Sequence, residues 1–584
     1  MNSRKESKII GISIQHDHIS FSHYNECDNK PETITFLNGK EILSTEILFE
    51  STRNRSKWIY QINTNNTMNE IFSHPQRFIG KTFEECQKIY ELTKGKWNEY
   101  QFQLKHENKT DSVQMILNER LSFTPEELFA LVINCGIGDC YSHFEDNSLF
   151  QVVVSIPFEY SNKQKQAVIN SCKIAGLNDI ILLSEESSIL LSYINRWNYV
   201  HLKPNEILMM INFNGSLKIS IFEVLSEISM VNKISMIEIE KRMKVLSICE
   251  NETIGIDLFI EIMMELIEEK INEYISNEGI SKKKINRKKL KNCAENVLKN
   301  LLEQNDYSFS LSSFGFDFNS SDDYDDEIWI TQNEFEQKCK EKQILEQIQT
   351  HIENSLKKSN RSIESIHYIF PFGECYQIPF IKQMISNANN NPNKIKDDYF
   401  EPFHQIVHGC SVYSHILNSL NIQFRSYTPI ENNKIIPYSI GIRVFGRRFK
   451  QFIQKGMSLP FSTSSIHCVN SQTVSKANFS IFKGEKEYTN EEGMVLIGNL
   501  LVNIPDSVDG NDMLNQQEKT KLEIHFSIDE NLNMSMNVFR MKDNLFLGEI
   551  DVDLKDFNEK ENEKLIKDYQ NHLIEMCENF VLDF

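Results

Sequence analysis

Two short polar turns, each between two apolar segments, carry residue types that could do chemistry. The first turn contains His16 and Asp17, and the second contains Asn212, Gly215 and Ser216. A turn that binds phosphate needs small residues so that backbone N–H groups can approach the anion, and a negative charge beside it repels the anion. The first turn departs on both counts. The second contains small residues, but Asn212 brings no charge to a hydrated magnesium ion.

The twelve cysteines do not form a pattern typical of a metal site or a disulfide framework. They are scattered without CxxC pairs or clustered histidines, and the nearest two are Cys135 and Cys140. This usage indicates reduced thiols in a reducing compartment. We therefore predict no metal site from the sequence.

Length and charge limit the classes of function. At 584 residues the chain is too long for one core, and its length favours three or four domains. Acidic residues number 82 against 62 basic ones, so the formal net charge is −20, which disfavours nucleic acid or an anionic membrane as a partner. The start of the chain contains too short an apolar run for a signal peptide, and no run of about 18 apolar residues occurs later. We expect a cytoplasmic protein.

The two polar turns are predicted to lie in β-hairpins. Residues 8–14 and 19–24 form apolar, strand-like segments on either side of the first turn, and residues 207–211 and 217–224 do so for the second. Between these hairpins, residues 151–193 alternate strand and helix patterns with short joins. Parallel strands need such crossovers, so the segment predicts an α/β layer.

The boundaries within this crossover are marked by local signals. The β-branched run 152–156 ends at a proline, as a buried strand with a hard stop would. Ser161 and Gln164 form a capping-box pattern that opens a helix, and Gly176 ends it. A second strand at 180–183 and a second helix follow.

The order of these segments resembles the Hsp70 family, which belongs to the actin-like ATPase superfamily. The crossover, with QKQAVINSCKIAGLN and SEESSILLSY, resembles the family's first lobe, although any α/β crossover would share its periodicity. Further similar segments appear in family order: RFIGKTFEE, ENETIGIDLF, IHYIFPFGECYQIPF and IIPYSIGIRVFG. The resemblance implies an α/β actin-like ATPase, two-lobed with a duplicated ribonuclease H-like domain, followed by a small β-sandwich and a short C-terminal helix.

The resemblance also implies catalytic positions, two of which are altered here. Gln76 stands at the position of a catalytic lysine, Asn212 at that of an aspartate, and Glu185 matches a glutamate near the metal. Exchanging an ammonium for an amide removes positive charge that stabilises the transition state of phosphoryl transfer. We therefore expect slow or absent turnover. As a lone acid, Glu185 is also typical of an ordinary helix start.

A nucleotide-binding set is implied in the same way. It draws on the two turns, the start of the second lobe, the helix that contacts adenosine and the last nucleotide loop. Its members are Gly11, Ser13, Gln15, His16, Gly215, Ser216, Gly255, Asp257, Glu295, Lys299 and Gly373. The implied cofactor is ATP or ADP with Mg2+, with weak binding because the first turn is degenerate. For the helix with Glu295 and Lys299, an ordinary surface helix is the alternative.

The implied domains are a nucleotide-binding domain at 1–425, a linker at 426–434, a β-sandwich at 435–545 and a short C-terminal helix at 546–584. The linker lacks the acidic, leucine-rich run of the family, so we expect weak or altered coupling between the domains. The last segment is a truncated lid in this interpretation.

The sandwich is the implied peptide-binding domain. Such domains bind extended peptides by strand-like backbone pairing and an apolar pocket. Phe449, Ala477 and Phe479 would line that pocket, and core packing is at least as good an explanation for each of them.

Two functions follow from these observations. The first is a divergent Hsp70-family chaperone that binds ATP or ADP weakly and binds exposed apolar segments of unfolded polypeptides, with co-chaperones as further possible partners. The second is a pseudo-ATPase interaction or regulatory protein of the same family. Whether the chain is an enzyme depends on the altered cleft.

Overall fold

The computed structural model contains two compact units. The first comprises residues 1–158, 169–426 and 569–584, and the second comprises 159–168 and 427–568. The described residues are 8–15, 17–51, 58–62, 71–97, 102–107, 112–144, 150–197, 200–277, 285–316, 327–388, 392–397, 404–420, 422, 439–454, 461–469, 476–484, 486–491, 494–504, 520–529, 533–554, 559–578 and 580. His16 and the predicted linker at 426–434 lie outside them.

Strands and α-helices make up most of the described residues between 8 and 419. The described strands there are β1 (Lys8–Ile14), β2 (His18–Asn25), β3 (Lys30–Thr33), β4 (Leu43–Ser44), β5 (Ile47–Ser51), β6 (Trp58–Ile62), β7 (Ile71–Phe72), β8 (Gln103–Glu107), β9 (Ser112–Asn118), β10 (Leu121–Phe123), β11 (Phe150–Ile156), β12 (Asp179–Ser184), β13 (His201–Leu202), β14 (Ile207–Asn212), β15 (Leu217–Val224), β16 (Ile228–Ser229), β17 (Met243–Asn251), β18 (Asp306–Ser310), β19 (Glu327–Thr331) and β20 (Tyr368–Phe372). The helices are α1 (Phe83–Trp97), α2 (Pro125–Phe144), α3 (Asn162–Ile174), α4 (Glu185–Arg196), α5 (Lys233–Ile237), α6 (Ile256–Asn277), α7 (Arg287–Leu301), α8 (Gln332–Glu341), α9 (Ile344–Lys358), α10 (Pro379–Ala388) and α11 (Gln405–Ser419).

Two sheets of the first unit repeat one plan. In the first sheet, ordered β12-β11-β1-β2-β3, strand β1 pairs antiparallel with β2 and parallel with β11. In the second sheet, ordered β17-β15-β14-β20, strand β14 pairs antiparallel with β15 and parallel with β20. Each sheet therefore carries a central hairpin beside a parallel strand, which is the duplication that the sequence predicts.

Helices α4 and α11 are packed against both sheets. Their apolar side chains share one core with Val153 of β11 and with Leu208 and Met210 of β14. The alternate residues Met209 and Ile211 face a second core, which includes residues of α6 to α10. Strand β14 is thus buried on both faces, as its continuous apolar run predicts.

The crossover of the first sheet forms as the local signals predict. Ser161 N donates to Gln164 Oε1 at 3.1 Å and Gln164 N donates to Ser161 Oγ at 3.3 Å, so the capping box is present. Gly176 has φ +95°, the left-handed conformation that a residue with a side chain adopts only with strain. The elements of this stretch are therefore determined by local sequence.

From about residue 330 the sequence pattern predicts one helix that continues to about Lys358, and this prediction is wrong. The structure has two helices, α8 and α9, with Gln343 between them in the left-handed conformation at φ +56°. This break has no proline or glycine to mark it.

Two four-stranded antiparallel sheets form most of the second unit. Their strands are β21 (Ile440–Arg443), β22 (Phe449–Ile453), β23 (Phe461–Val469), β24 (Lys476–Lys483), β25 (Val495–Asn503), β26 (Thr520–Ile528), β27 (Asn533–Arg540) and β28 (Leu545–Asp553). The orders are β22-β21-β24-β25 and β23-β26-β27-β28. Inward-facing residues of both sheets form one core, so the unit is a β-sandwich.

The predicted boundary at 545/546 requires correction. Strand β28 pairs with β27 from Leu545 to Asp553, so the sandwich extends past the boundary because this edge strand completes the sheet. The C-terminal helix is α12 (Glu559–Met576), which lies within the predicted segment 546–584. Among the described residues, no helix is long and apolar enough to cross a membrane.

Candidate functional site

The first polar turn joins β1 to β2 and closes on itself. Ser13 is fully buried and pairs across the sheet with Ser155 and Ser20. Gln15 N donates to His18 O at 2.9 Å, and Gln15 Nε2 lies 3.4 Å from Ser13 Oγ, which it donates to. The bulk of Gln15 therefore fills space that a phosphate-binding turn leaves open to backbone N–H groups.

Gly11, which the resemblance places in the nucleotide set, packs against helix α11 instead. A Cβ on Gly11 would lie 2.8 Å from Cys410 Cβ and 2.9 Å from Val407 O. Its lack of a side chain allows β1 and α11 to approach closely. Gly11 thus supports the sheet beneath the turn and has a packing role here.

Gln76 anchors the first turn to the neighbouring chain segments. It lies in a single 3-10 turn, Pro75–Arg77, and is 5% exposed. Its Nε2 donates to Gln15 O at 3.2 Å and to Thr45 Oγ1 at 2.9 Å. The structure therefore brings this position to the first turn with a neutral amide that is engaged in hydrogen bonds to the protein.

The second turn joins β14 to β15, and the side chain of Asn212 is bonded at both ends. Asn212 Nδ2 donates to Glu185 Oε2 at 3.1 Å, and Asn212 Oδ1 accepts from Asn214 N at 2.8 Å. Glu185 is the first residue of α4 and is buried. Glu185 and Asn212, which the resemblance places among the catalytic positions, are therefore in direct contact. The contact is a hydrogen bond between a carboxylate and an amide.

A buried lysine lies beside this pair. Lys218 is the cross-strand partner of Asn212, and its Nζ is 3.2 Å from Glu186 Oε1 and 3.9 Å from Glu185 Oε2. Glu186 also accepts a hydrogen bond from Ser220 Oγ at 3.3 Å. The ammonium balances one of the two carboxylate charges and so lowers the cost of burying Glu185 and Glu186.

Sequence reasoning missed Lys218 and Glu186 as members of the site. The available signal was a pair of replacements: Lys218 stands where the family pattern has a second aspartate, and Glu186 stands where it has a proline. A positive and a negative residue appearing together in this way would have indicated an ion pair.

Three glycines bring the second turn close to two other segments. A Cβ on Gly255 would lie 2.0 Å from Gly215 O. Gly373 has φ +93°, and a Cβ there would lie 2.6 Å from Phe213 C. These contacts hold the second turn against the start of α6 and the end of β20. The neighbouring Ser216 Oγ donates to Glu250 Oε1 at 2.5 Å, so this hydroxyl is bonded within the hairpin region.

Acidic side chains dominate the electrostatics around Glu374, which directly follows Gly373. Burial, together with Asp17, Asp257 and Glu295, raises the pKa of Glu374 to about 7, and His18 acts in the opposite direction. Asp257 in turn lies 3.8 Å from Arg77, measured from Oδ2 to Nη2. A region in which a carboxyl group holds its proton near neutral pH is unfavourable for a polyphosphate.

The imidazole of His18 is the partner of Asp17. Asp17 Oδ1 lies 2.6 Å from His18 Nδ1. Burial lowers the pKa of His18, but Asp17 and Glu374 raise it, and the net shift is upward. Asp17 is therefore the hydrogen-bond partner that favours the protonated form of His18.

Glu295 and Lys299 lie on α7 as the resemblance implies. The side chain of Glu295 is 46% exposed, and its Oε1 lies 3.7 Å from Lys291 Nζ. Lys299 is exposed in the last turn of the helix. Both side chains are typical of a surface helix, which was the alternative for this segment.

The arrangement does not fit a magnesium ion at Glu185. A hydrated magnesium ion is bound through carboxylates and phosphates. Here Lys218 Nζ lies 3.2 Å from Glu186 Oε1 and 3.9 Å from Glu185 Oε2, so an ammonium already occupies the space beside Glu185 and repels a second cation there, although one of the two carboxylate charges stays unbalanced. Among the described residues of the first turn, no side chain supplies the positive charge that phosphoryl transfer uses.

A comparison with known families identifies the scaffold. A family model described as Hsp70 protein matches residues 29–576. The chain belongs to the Hsp70 family. Membership implies the actin-like ATPase fold and a β-sandwich, with which the repeated mixed sheets and the second unit agree.

The curated relatives are distant. The stromal 70 kDa heat shock-related protein, chloroplastic, of Pisum sativum is 22% identical over 83% of this chain and 63% of its own length. A chaperone protein dnaK of Gracilaria tenuistipitata var. liui is 23% identical over 79% of this chain and 68% of its own. The heat shock protein 70 homolog of Acanthamoeba polyphaga mimivirus is 21% identical over 79% of this chain and 45% of its own length. The chain thus spans a little under two thirds of the pea relative's length.

The residues that the resemblance assigns to peptide binding lie in the sandwich of this Hsp70-family protein. Phe479 is buried in its core, and Ala477 packs against the same core. Phe449 begins β22 and is half-buried. Phe479 and Ala477 are therefore core residues here, and of the three only Phe449 lies at the start of an edge strand.

Proposed function

We propose that this protein is a divergent Hsp70-family chaperone that binds extended apolar polypeptide segments, and that its cleft binds ATP or ADP weakly and hydrolyses ATP slowly or not at all. The buried ion pair of Lys218 with Glu186, beside Glu185, supports the loss of hydrolysis. Its ammonium stands next to the carboxylate that the family resemblance places near magnesium. The neutral amides of Gln76 and Asn212 also support the loss of ATP hydrolysis, because they bring no charge to the cleft.

The residues of this chain would still position a nucleotide in part. The close contacts of Gly215, Gly255 and Gly373 retain the packed backbone of the second turn. In the Hsp70 family, ATP hydrolysis requires the charge arrangement that bound Mg2+-ATP supplies. This chain instead satisfies its own buried carboxylates with Lys218, so we expect that nucleotide binding, where it occurs, does not depend strongly on Mg2+.

A single-turnover assay with radiolabelled ATP tests the loss of hydrolysis. We expect phosphate release at the background rate with and without Mg2+, and calorimetry to show weak binding of ADP. Magnesium-dependent release at typical Hsp70 speed, abolished by Gln76→Ala or Asn212→Ala, would contradict the proposal. The thermal midpoints of both variants would show whether a lost signal reflects unfolding.

The sandwich supports the peptide-binding part of the proposal. Strand β25 is at the edge of its sheet and exposes Val495, Leu496 and Leu501, the last at 60%. An edge strand offers unpaired backbone groups to an extended peptide, and neighbouring apolar side chains add affinity. Phe449 lies in β22 at the other edge of the same sheet.

Fluorescence anisotropy of a labelled apolar heptapeptide with the full chain tests this part. We expect Phe449→Asp or Leu501→Asp to weaken binding several-fold, because a charge replaces apolar contact area. Leu225→Asp is the matched control, since Leu225 is 53% exposed in the first unit. Absence of peptide binding by the unaltered chain would favour the second candidate, an interaction or regulatory pseudo-ATPase. A cytoplasmic location and co-chaperones remain predictions.

A further inference from the structure

Three metal-ligating side chains converge at the mouth of the first turn. Asp17, His18 and Glu374 place one imidazole nitrogen and two carboxylate oxygens within 4.8 Å of one another. Asp17 directly precedes β2 and His18 is its first residue, whereas Glu374 begins the 3-10 turn Glu374–Gln377 after β20. Because the ligands come from segments more than 350 positions apart, the sequence contains no local metal motif for them.

The backbone around each of these side chains is fixed by packing and hydrogen bonds. Thr45 N and Thr45 Oγ1 donate to Asp17 O at 3.0 and 2.9 Å. His18 is 4% exposed, and its Nδ1 lies 2.6 Å from Asp17 Oδ1. Gly373 directs the chain into Glu374 through its positive φ and its close contact with the second turn. The cluster therefore belongs to ordered elements.

The ligand set has a chemical preference. Imidazole nitrogen suits zinc and other late first-row metals, whereas Mg2+ and Ca2+ take oxygen ligands. Metal binding requires a neutral imidazole at His18 and ionised carboxylates at Asp17 and Glu374, so binding releases the protons that these groups hold. In that form the three ligands carry two negative charges, which a divalent cation balances. Asp257 and Glu295 add negative charge around Glu374, so the surroundings also attract a cation.

We propose that Asp17, His18 and Glu374 form a binding site for a divalent ion of the zinc type, with at least one coordination position left for water or another ligand. Zinc bonds of about 2.0 to 2.2 Å to nitrogen and oxygen bring tetrahedral ligand atoms to roughly 3.3 Å from each other. The ligand atoms lie within 4.8 Å of one another, with Asp17 Oδ1 and His18 Nδ1 2.6 Å apart, so binding requires side-chain rotation at Asp17 and Glu374. The site shares no residue with the Glu185, Glu186 and Lys218 group and does not depend on the proposed chaperone function.

Zinc titration by calorimetry tests the proposal with the full chain, stripped with a chelator and kept reduced with a phosphine. We expect one Zn2+ per chain, with affinity falling at least about tenfold in Glu374→Gln and in Asp17→Asn. Glu295→Gln is the matched control, because it removes a neighbouring negative charge without removing a ligand. We expect a change of less than about threefold there, since it alters only the surrounding charge.

Cobalt substitution gives a second readout. Co2+ bound by one nitrogen and two oxygens should give a visible absorption band in the unaltered chain and in Glu295→Gln, and no band in the two ligand variants. Zinc affinity within threefold of the unaltered chain in both ligand variants would overturn the proposal. An equal loss of zinc affinity in Glu295→Gln would also overturn it, because such a loss indicates general charge attraction. So would a loss of zinc affinity that occurs only after the thiols are alkylated, because that indicates cysteine ligands. Thermal midpoints of all variants exclude unfolding as the cause.

Discussion

The hairpins β1–β2 and β14–β15 have the same pairing plan but different chemistry in their turns. Each is antiparallel and lies beside a parallel strand, β11 or β20. In the first turn the Asp17 side chain is 48% exposed beside the buried imidazole of His18. At the second hairpin, Lys218 is buried with Glu186 beside the bonded side chain of Asn212.

The difference shows that the strand pairing and the residue types in the turns are determined by separate physical requirements. Strand pairing and burial on both faces of the sheet require apolar side chains in alternation, and many sequences meet this requirement. A nucleotide site requires particular charges and small residues at particular atoms. The two hairpins therefore share a pairing plan although their turns carry different charges.

The largest expected effect is at the second hairpin. Lys218→Met leaves Glu185 and Glu186 buried without their ammonium and should lower the free energy of unfolding by about 3–5 kcal/mol. Urea denaturation of the full chain measures it. Lys299→Met, an exposed substitution of the same kind, is the control and should change stability by less than about 0.5 kcal/mol.

A companion variant keeps this prediction testable if Lys218→Met does not fold. Adding Glu186→Gln should recover part of the loss, because one of the two uncompensated carboxylates is then neutral. A loss below about 1 kcal/mol in the single variant would mean that the ion pair does not hold the second hairpin, since surface pairs contribute that little.

A second prediction concerns the backbone contact that holds the second turn. Gly373→Ala places a Cβ 2.6 Å from Phe213 C at φ +93° and should cost roughly 1–3 kcal/mol in unfolding free energy. Gly138→Ala in helix α2 is the control, because no atom lies within 4 Å of its added Cβ. That variant should gain stability or stay neutral. Equal effects in both would contradict the close approach.

The first turn should be less sensitive to loss of its anchor. Gln76→Ala removes the hydrogen bonds to Gln15 O and Thr45 Oγ1 and should cost about 1–2 kcal/mol in unfolding free energy. Gln61→Ala, at an exposed position, is the control and should stay within about 0.5 kcal/mol. If Gln76→Ala costs as much as Lys218→Met, the contrast between the two turns fails.

The smallest expected effect comes from a pair outside both turns. His572 of α12 lies 2.6 Å from Glu127, from Nδ1 to Oε1, and this hydrogen bond raises the pKa of His572 above 6.5. The pair therefore stabilises the folded state fully below the unfolded pKa, and the contribution is lost as pH rises through the folded pKa.

Thermal unfolding of the unaltered chain and of His572→Gln measures this dependence. The difference should be at most about 1 kcal/mol near pH 6, because the histidine is partly exposed, and should shrink toward pH 9. A difference that grows with pH would contradict the assignment. Its small size beside Lys218→Met would show how much burial adds to an ion pair.

Most elements could be predicted from the sequence because their signals are local. Strands β1 and β15 have the predicted bounds, and the capping box at Ser161 with Gln164 opens α3. The left-handed break at Gln343 and the last strand, β28, could not be predicted from the sequence. The first lacks a glycine, and the second takes its place only by pairing with β27.

The candidate site was only partly predictable. The sequence names Gln76, Glu185 and Asn212 through their position in a family pattern, and the structure brings Gln76 to Gln15 and Asn212 to Glu185. The sequence gives no indication that Gly11 packs against α11. Such contacts depend on which elements become neighbours, and this is set by packing across the whole unit.

By itself, the amino-acid sequence determined most of the strands and helices, because hydrophobic periodicity, helix caps and glycine stops act over a few residues. The family came from the resemblance of its segments, taken in order. The sequence also determined that charge and small size are missing from the first turn. Only the tertiary structure decided that Lys218 neutralises Glu186 and that Asp17, His18 and Glu374 meet. Electrostatic interactions depend on distance and burial, and residues far apart in the chain acquire both only when the sheets and helices pack together.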